Sequence, residues 1–291
     1  MEERFQKIKI ASVLGILGNI FLVTIKSVIG VLTKSQAMLA DAFNSMSDVF
    51  SSFMTFIGNK IASKPKDEDH NLGHGKAEYI YSMLISIAMF LLAYTSLKSS
   101  FFSLIYKSTF LFSKWLVIVC LLTILIKSLL FLYTNCLSKK FKNILLEANA
   151  KDHRNDCIIT LCNLISCLFA LKGWYFLDGI VGLIISLWIF YTAFQIFKES
   201  YNVLMDKSID EETKKKVYEI IYHYNEIKKI NHFNATPVGY RYQISFTIFV
   251  DGNLSTFESH DIANRLEDEI EEKVGEVYLT VIHVNPIKEN K

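Results

Sequence analysis

The chain has 291 residues, a formal net charge of +2 and a 51% share of hydrophobic side chains. That near-neutral balance excludes the electrostatic footprint of a polyanion binder, so nucleic acid is not an expected partner. Apolar residues crowd before about residue 200 while the remainder is rich in Glu, Lys, Asp and Asn, an asymmetry that reads as a membrane domain, 1–205, followed by a soluble domain, 206–291.

A helix that crosses a bilayer needs about 20 mostly apolar residues. Six segments qualify, roughly Ile8 to Leu32, Gln36 to Ser63, Tyr79 to Leu97, Lys114 to Asn135, Leu145 to Leu171 and Trp174 to Phe197, and none contains proline. No small-residue cleavage site follows the first apolar stretch, which is therefore read as a retained span. Arg4, Lys7, Lys9, Lys60, Lys64, Lys66, Lys76, Lys139, Lys140 and Lys142 fall on one side of the six spans, against Lys34, Lys107, Lys114 and Lys172 on the other. The excess predicts a multi-pass protein of the cell membrane with both termini in the cytoplasm. Cys120, Cys136, Cys157, Cys162 and Cys167 all lie in apolar segments without a CxxC pair, so they are read as small buried thiols.

Polar residues inside these spans are the informative ones, because an ionisable group at the bilayer centre is costly and marks function by default. The second span contains "LADAFNSMSDVF", with Asn44 and Asp48 four residues apart on one helical face and Asp41 near that face. The fifth repeats the spacing in "KDHRND", with Asp152 and Asp156. Counted from the span ends at 1.5 Å per residue, both pairs fall in the middle third of the membrane. Antiparallel spans would then gather three carboxylates and one amide oxygen. Bare carboxylates repel, and a divalent cation supplies the missing positive charge. The bland alternative is that these side chains only tie helices together or pair with Lys26 or Lys127, which are themselves read as pairing residues rather than transport residues. His153 points about 100° away from Asp152 on the helix and is read as a packing residue.

"KPKDEDHNLGHGKAE" joins the second and third spans. Asp67, His70 and His74, with Gly73 and Gly75 beside them, have the residue types and spacing of a zinc-like or other divalent site. The tail reads as α-β-β-α-β, a small α+β domain. Its first helix is expected to open on a capping box of Ser208 and Glu211, and its second on Ser255 and Glu258. The central strand shows in the alternation of Tyr242, Ile244, Phe246, Ile248 and Val250. His232, His260 and His283 fall on the first strand, the second helix and the last strand.

Together "LADAFNSMSD", "KPKDEDHNLGHGKAE", "KDHRND", "GNLSTFESHDIA" and "VIHVNP" resemble, in order, the cation diffusion facilitator family, from about Leu39 to Pro286. The resemblance implies a homodimeric exporter that exchanges a cytoplasmic divalent metal for protons. It implies an α-helical membrane protein with six transmembrane helices and a ferredoxin-like cytoplasmic domain for dimerisation and metal sensing. By the same resemblance the membrane site falls on Asn44, Asp48, Asp152 and Asp156, with Asp41 as a supporting residue. The loop site falls on Asp67, His70 and His74, and cytoplasmic-domain metal positions fall on His232, His260 and His283. Two departures carry information. Zinc-selective members often place a histidine in the membrane quartet, whereas this quartet is all oxygen and suits a harder ion, with Mn²⁺ ahead of Zn²⁺, Fe²⁺ and Co²⁺. Thr247 and Asn285 stand where well-known zinc members carry histidine and aspartate.

The expected ligands are thus metal ions and protons, with no organic cofactor and no enzymatic activity. An intramembrane metalloprotease would need His-Glu-x-x-His on a span, whereas His70 and His74 enclose Asn, Leu and Gly in a loop. The rival readings are a zinc-specific exporter of the same family and a metal-sensing membrane subunit that does not transport.

Overall fold

A chain that crosses lipid has to satisfy its backbone amides internally, which leaves the helix as the economical answer for long apolar segments. The computed structural model describes residues 2–32, 36–106, 114–170 and 176–287. It forms α1 (Glu2–Leu32), α2 (Gln36–Ala62), α3 (Ala77–Tyr106), α4 (Lys114–Phe141), α5 (Ile144–Ala170) and α6 (Phe176–Leu204). There follow α7 (Glu211–Tyr222), β1 (Lys229–Val238), β2 (Arg241–Asp251), α8 (Thr256–Lys273) and β3 (Val277–Ile287). Several helices overrun the apolar windows, since hydropathy marks only the part in hydrocarbon. At 1.5 Å per residue even the 27-residue α2 is about 40 Å long. The expected limits at Leu171 and Trp174, the loop residues Lys34, Lys107 and Lys172, and the side chain of Cys167 lie outside the described residues.

Residues cluster into two units, one of 1–64 with 77–201 and another of 65–76 with 202–291. In the first, α1 packs on α2 and α4, α4 on α5, and α2 and α3 each on α5. Its polarity is inverted relative to a water-soluble bundle. Leu17, Leu91, Leu129, Leu132, Ile184 and Leu187 are each about 60% exposed or slightly more, while Ser12, Asn19, Lys26, Ser52, Thr55, Lys127 and Asn149 are buried. A contiguous apolar exterior of this kind belongs against lipid. Among the described residues, Glu3–Ile29, Ala77–Phe102 and Val117–Phe141 are long and apolar enough to cross a membrane by themselves. The helices α2 and α5 carry Asp48, Asp152 and Asp156 in their middles. Arg4 acts as a clamp rather than a loop cation. Its Nη1 and Nη2 donate to Glu78 Oε1 and Oε2 at 2.6 and 2.8 Å, and its Nε to the Phe141 carbonyl at 3.3 Å, tying α1 to α3 and the end of α4. The fork geometry suits a buried carboxylate partner.

The second unit follows the α-β-β-α-β order read from the sequence. β2 lies between β1, antiparallel, and β3, parallel. Ile244, Phe246, Ile248 and Val250 are buried against Val217 and Ile221 of α7 and Ile262, Leu266 and Ile270 of α8. The Ser255–Glu258 capping box forms as expected. The first helix is capped differently. Its N-cap is Asp210, not Ser208, and the carboxylate accepts from the Thr213 N–H at 2.9 Å and the Thr213 hydroxyl at 2.8 Å. An ionised carboxylate placed next to the first turn is the stronger acceptor for those orphan donors.

Residues 65–76 belong to this unit. Gly239 and Tyr240 turn β1 into β2, and Gly239 has φ +66°, as a two-residue hairpin turn requires. A Cβ added to Gly75 would lie 2.9 Å from the Gly239 Cα, so two bare backbones meet there.

Two outcomes follow from these contacts. The Thr213 hydrogen bond holds the Asp210 carboxyl below its ordinary range, so the cap contributes fully above the unfolded value near pH 3.9 and is lost as pH falls through the lowered value. Asp210→Ala is expected to remove about 1 kcal/mol at neutral pH, read as faster hydrogen exchange in the first turn of α7. Gly239→Ala, which meets both a left-handed φ and the Gly75 backbone, is expected to speed amide exchange across residues 65–76 while α8 keeps its protection.

Candidate metal centre

The intramembrane candidates come together in part where the sequence spacing places them. α2 supplies Asp48 and α5 supplies Asp152 and Asp156, one turn apart on one helical face. All three are buried, and one oxygen from each lies within 4.8 Å of the other two. Two of the remaining oxygens, Asp152 Oδ2 and Asp156 Oδ1, are buried with no hydrogen-bond partner among the described residues. Asn44 lies one turn before Asp48 on α2, but its side chain and that of Asp41 lie outside the described residues.

Lys127, halfway along α4, reaches the same point. Its Nζ donates to Asp48 Oδ2 at 2.6 Å and to Asp156 Oδ2 at 2.6 Å, and the side chain is essentially unexposed. The sequence marks Lys127 as a pairing residue and offers the candidate metal ligands as its partners, and Asp48 and Asp156 are the two it contacts. A lysine at the middle of an apolar span is itself the signal, because a chain end that far from the membrane surface has no water to reach. Lys26 instead donates to Ser45 Oγ at 2.8 Å.

The helix backbone around the acids is held by amides. Asn19 Nδ2 donates to the Asp48 carbonyl at 3.0 Å and to Ser52 Oγ at 3.2 Å, fixing α1 to the acid-bearing turn of α2. A Cβ on Gly15 would lie 2.8 Å from Ser52 Oγ, so the same two helices touch through small residues. His153 is fully buried beside this contact, outside the carboxylate cluster, as its helical angle predicts.

The loop candidates also come together. The His70 N–H donates to Asp67 Oδ1 at 2.7 Å, and His70 Nδ1 lies 3.0 Å from the same oxygen. His74 Nε2 lies 3.3 Å from Asp67 Oδ2, and the two imidazole rings are 4.3 Å apart. Gly73, at φ +78°, closes the turn with its N–H on the His70 carbonyl at 2.8 Å. Desolvation is the largest single influence and opposes the charge on Asp67, but the backbone and ring hydrogen bonds of His70 and the electrostatic pull of His70 and His74 together outweigh it and hold its carboxyl below the usual range. His74 Nδ1 faces the Pro65 carbonyl at 3.1 Å, which can only accept, so Nδ1 carries the proton. His74 Nε2 then faces Asp67 Oδ2, and Asp67, His70 and His74 form a group of side chains that could hold an ion.

The tail histidines are not gathered within a single chain. His232, His260 and His283 are all exposed, and among the described residues none joins a group of three metal-binding side chains. His283 Nε2 instead meets Asn285 Oδ1 at 3.1 Å, and His283 pairs in register with Thr247. The two departures noted in the sequence thus sit beside the one histidine of the sheet's parallel edge.

Comparison with known proteins bears on the family of the chain. The cation efflux transmembrane domain matches residues 12–205, and the cytoplasmic domain of cation efflux proteins matches residues 209–287. An uncharacterized transporter of Methanocaldococcus jannaschii is 32% identical over 275 residues, covering 92% of this chain and 96% of that one. The manganese efflux system proteins MneP and MneS of Bacillus subtilis are 28% and 29% identical, covering 98% and 99% of this chain and the same shares of their own. With both domains matched in order across nearly the whole length, the chain belongs to the cation efflux, or cation diffusion facilitator, family of membrane transporters.

Proposed function

We propose that this protein exports a divalent metal from the cytoplasm in exchange for protons, and that Asp48, Asp152, Asp156 and Asn44 form its transport site. The observation that carries the reading is the buried trio of carboxylates from α2 and α5, within 4.8 Å of one another and with two oxygens that have no hydrogen-bond partner among the described residues. A divalent ion answers both the repulsion and the unused lone pairs. The ion would enter from the cytoplasm, bind, and leave on the other side of the membrane as the helices rock. Protons would then take its place on the carboxylates, since no histidine belongs to the quartet.

Manganese leads the metal ranking. An oxygen-only donor set favours a harder ion over zinc, and two relatives of similar length are manganese efflux proteins by name. Residues 206–291 would dimerise the protein and report metal, with both termini cytoplasmic. The loop cluster of Asp67, His70 and His74 would hold a second ion, and His232, His260 and His283 would find further ligands only across the dimer. The ion pair of Lys127 with Asp48 and Asp156 favours a second reading, in which the acids only brace the bundle of a metal-sensing, non-transporting subunit.

Reconstituted liposomes separate these readings. Mn²⁺ flux should depend on a proton gradient and fall to the rate of empty liposomes in Asp48→Ala and Asp156→Ala; flux that survives both changes places the site elsewhere, and wild-type protein without flux supports the sensing subunit. Asn44→His should move preference toward Zn²⁺. Zinc flux far above manganese flux in the wild-type protein would reverse the ranking.

A further inference from the structure

The acid cluster already holds a cation that belongs to the protein. We propose that the Lys127 ammonium is a tethered substitute for the cargo, occupying the carboxylate site of the metal-free carrier and being displaced by the incoming divalent ion. This rests on the carboxylate cluster being the transport site.

Four features separate such a substitute from a static strut. Its Nζ bridges one carboxylate of α2 and one of α5, at 2.6 Å to each, and so stands between the groups a metal would join. Lys127 contacts two of the three carboxyl groups, and Asp152 Oδ2 and Asp156 Oδ1 have no hydrogen-bond partner among the described residues. A buried network built only to brace helices is stable when every member is satisfied, and this one is not. The side chain comes from α4, a third helix, so it can leave without moving either ligand-bearing backbone. Finally, the residue is lysine. A point charge on a flexible four-carbon stem can withdraw, whereas an arginine fork would hold both carboxylates in fixed geometry.

The substitute acts at the step in which the carrier returns without metal. Protons cover part of the carboxylate charge on that return, and the carboxylates left ionised would confront one another in a medium that screens them poorly. The ammonium keeps the acids together during that step, and its charge also opposes metal binding, so that cargo is held less tightly and can be released.

The test uses full-length protein, with Mn²⁺ binding measured by equilibrium dialysis and two transport modes measured in liposomes. Lys127→Met and Lys127→Gln are expected to bind Mn²⁺ about tenfold tighter or more, which corresponds to about 1.4 kcal/mol. Exchange of Mn²⁺ for Mn²⁺, which needs release of the ion but never the return of the empty carrier, should fall by much less than net efflux, which should fall about tenfold or more. Lys127→Arg, whose fork would not withdraw from the carboxylates, should bind Mn²⁺ several-fold more weakly than the wild type, and tighter binding overturns the proposal. Unchanged or weaker binding in both neutral variants, or equal loss of exchange and net efflux, makes Lys127 a strut and overturns the proposal. In the unsubstituted chain the Lys127 Nζ resonance should move when a diamagnetic divalent ion such as Cd²⁺ is added, and an unmoved resonance overturns it as well. Survival of binding and flux in Asp48→Ala and Asp156→Ala would instead remove the transport site on which the proposal depends.

Discussion

Three carboxyl groups and one ammonium share a volume that water does not reach, and the rest of the membrane unit is arranged around that fact. Removing an ion from water costs several kcal/mol even after relaxation, and an unpaired one costs more than a helix bundle of this size can absorb. Charge therefore has to be matched locally. Lys127 supplies part of the match by contacting Asp48 and Asp156, and Asp152 is left to complete a site whose acceptors exceed its donors. The proposed metal site and the observed salt bridge draw on one set of oxygens, which is why the structural reading and the transport reading use the same residues.

The scaffold that permits this is polar inside and apolar outside. Serine, threonine and asparagine line the helix contacts of α1 and α2, where small side chains allow close approach and hydrogen bonds replace the hydrophobic driving force that lipid removes. Arg4 and Glu78 secure α1 to α3 by a bidentate bond that cannot slide. The acid-bearing turns of α2 and α5 are thus presented by rigid helices rather than by loops.

In the second unit the loop that carries Asp67, His70 and His74 is held by both backbone and side-chain contacts. Gly75 and Gly239 meet without intervening Cβ atoms, and Lys76 Nζ contacts Asp206 Oδ1 at 2.6 Å. Residues 65–76, between two membrane helices in sequence, accordingly cluster with the tail. An ion bound by Asp67, His70 and His74 would act on the unit that carries the dimerisation domain, while its chain ends continue into α2 and α3.

Much of this was legible in the residues. Apolar length marked the six helices, period-two burial marked β2, and the paired i, i+4 acids marked the face of α5 and the turn of α2, because all three signals are local and need only neighbours along the chain. The Ser255 box was legible for the same reason, and the Ser208 box was misread because Asp210, two residues on, offers the better acceptor. The grouping of Asp67, His70 and His74 was also local. What only the tertiary structure decided is which distant groups share one space: that Lys127 of α4 lands between acids of α2 and α5, that Arg4 serves Glu78 rather than the membrane surface, that the loop joins the tail, and that three histidines on separate elements stay apart. Electrostatic partners in a low-dielectric interior are chosen by distance in space, and the sequence alone orders residues only along the chain.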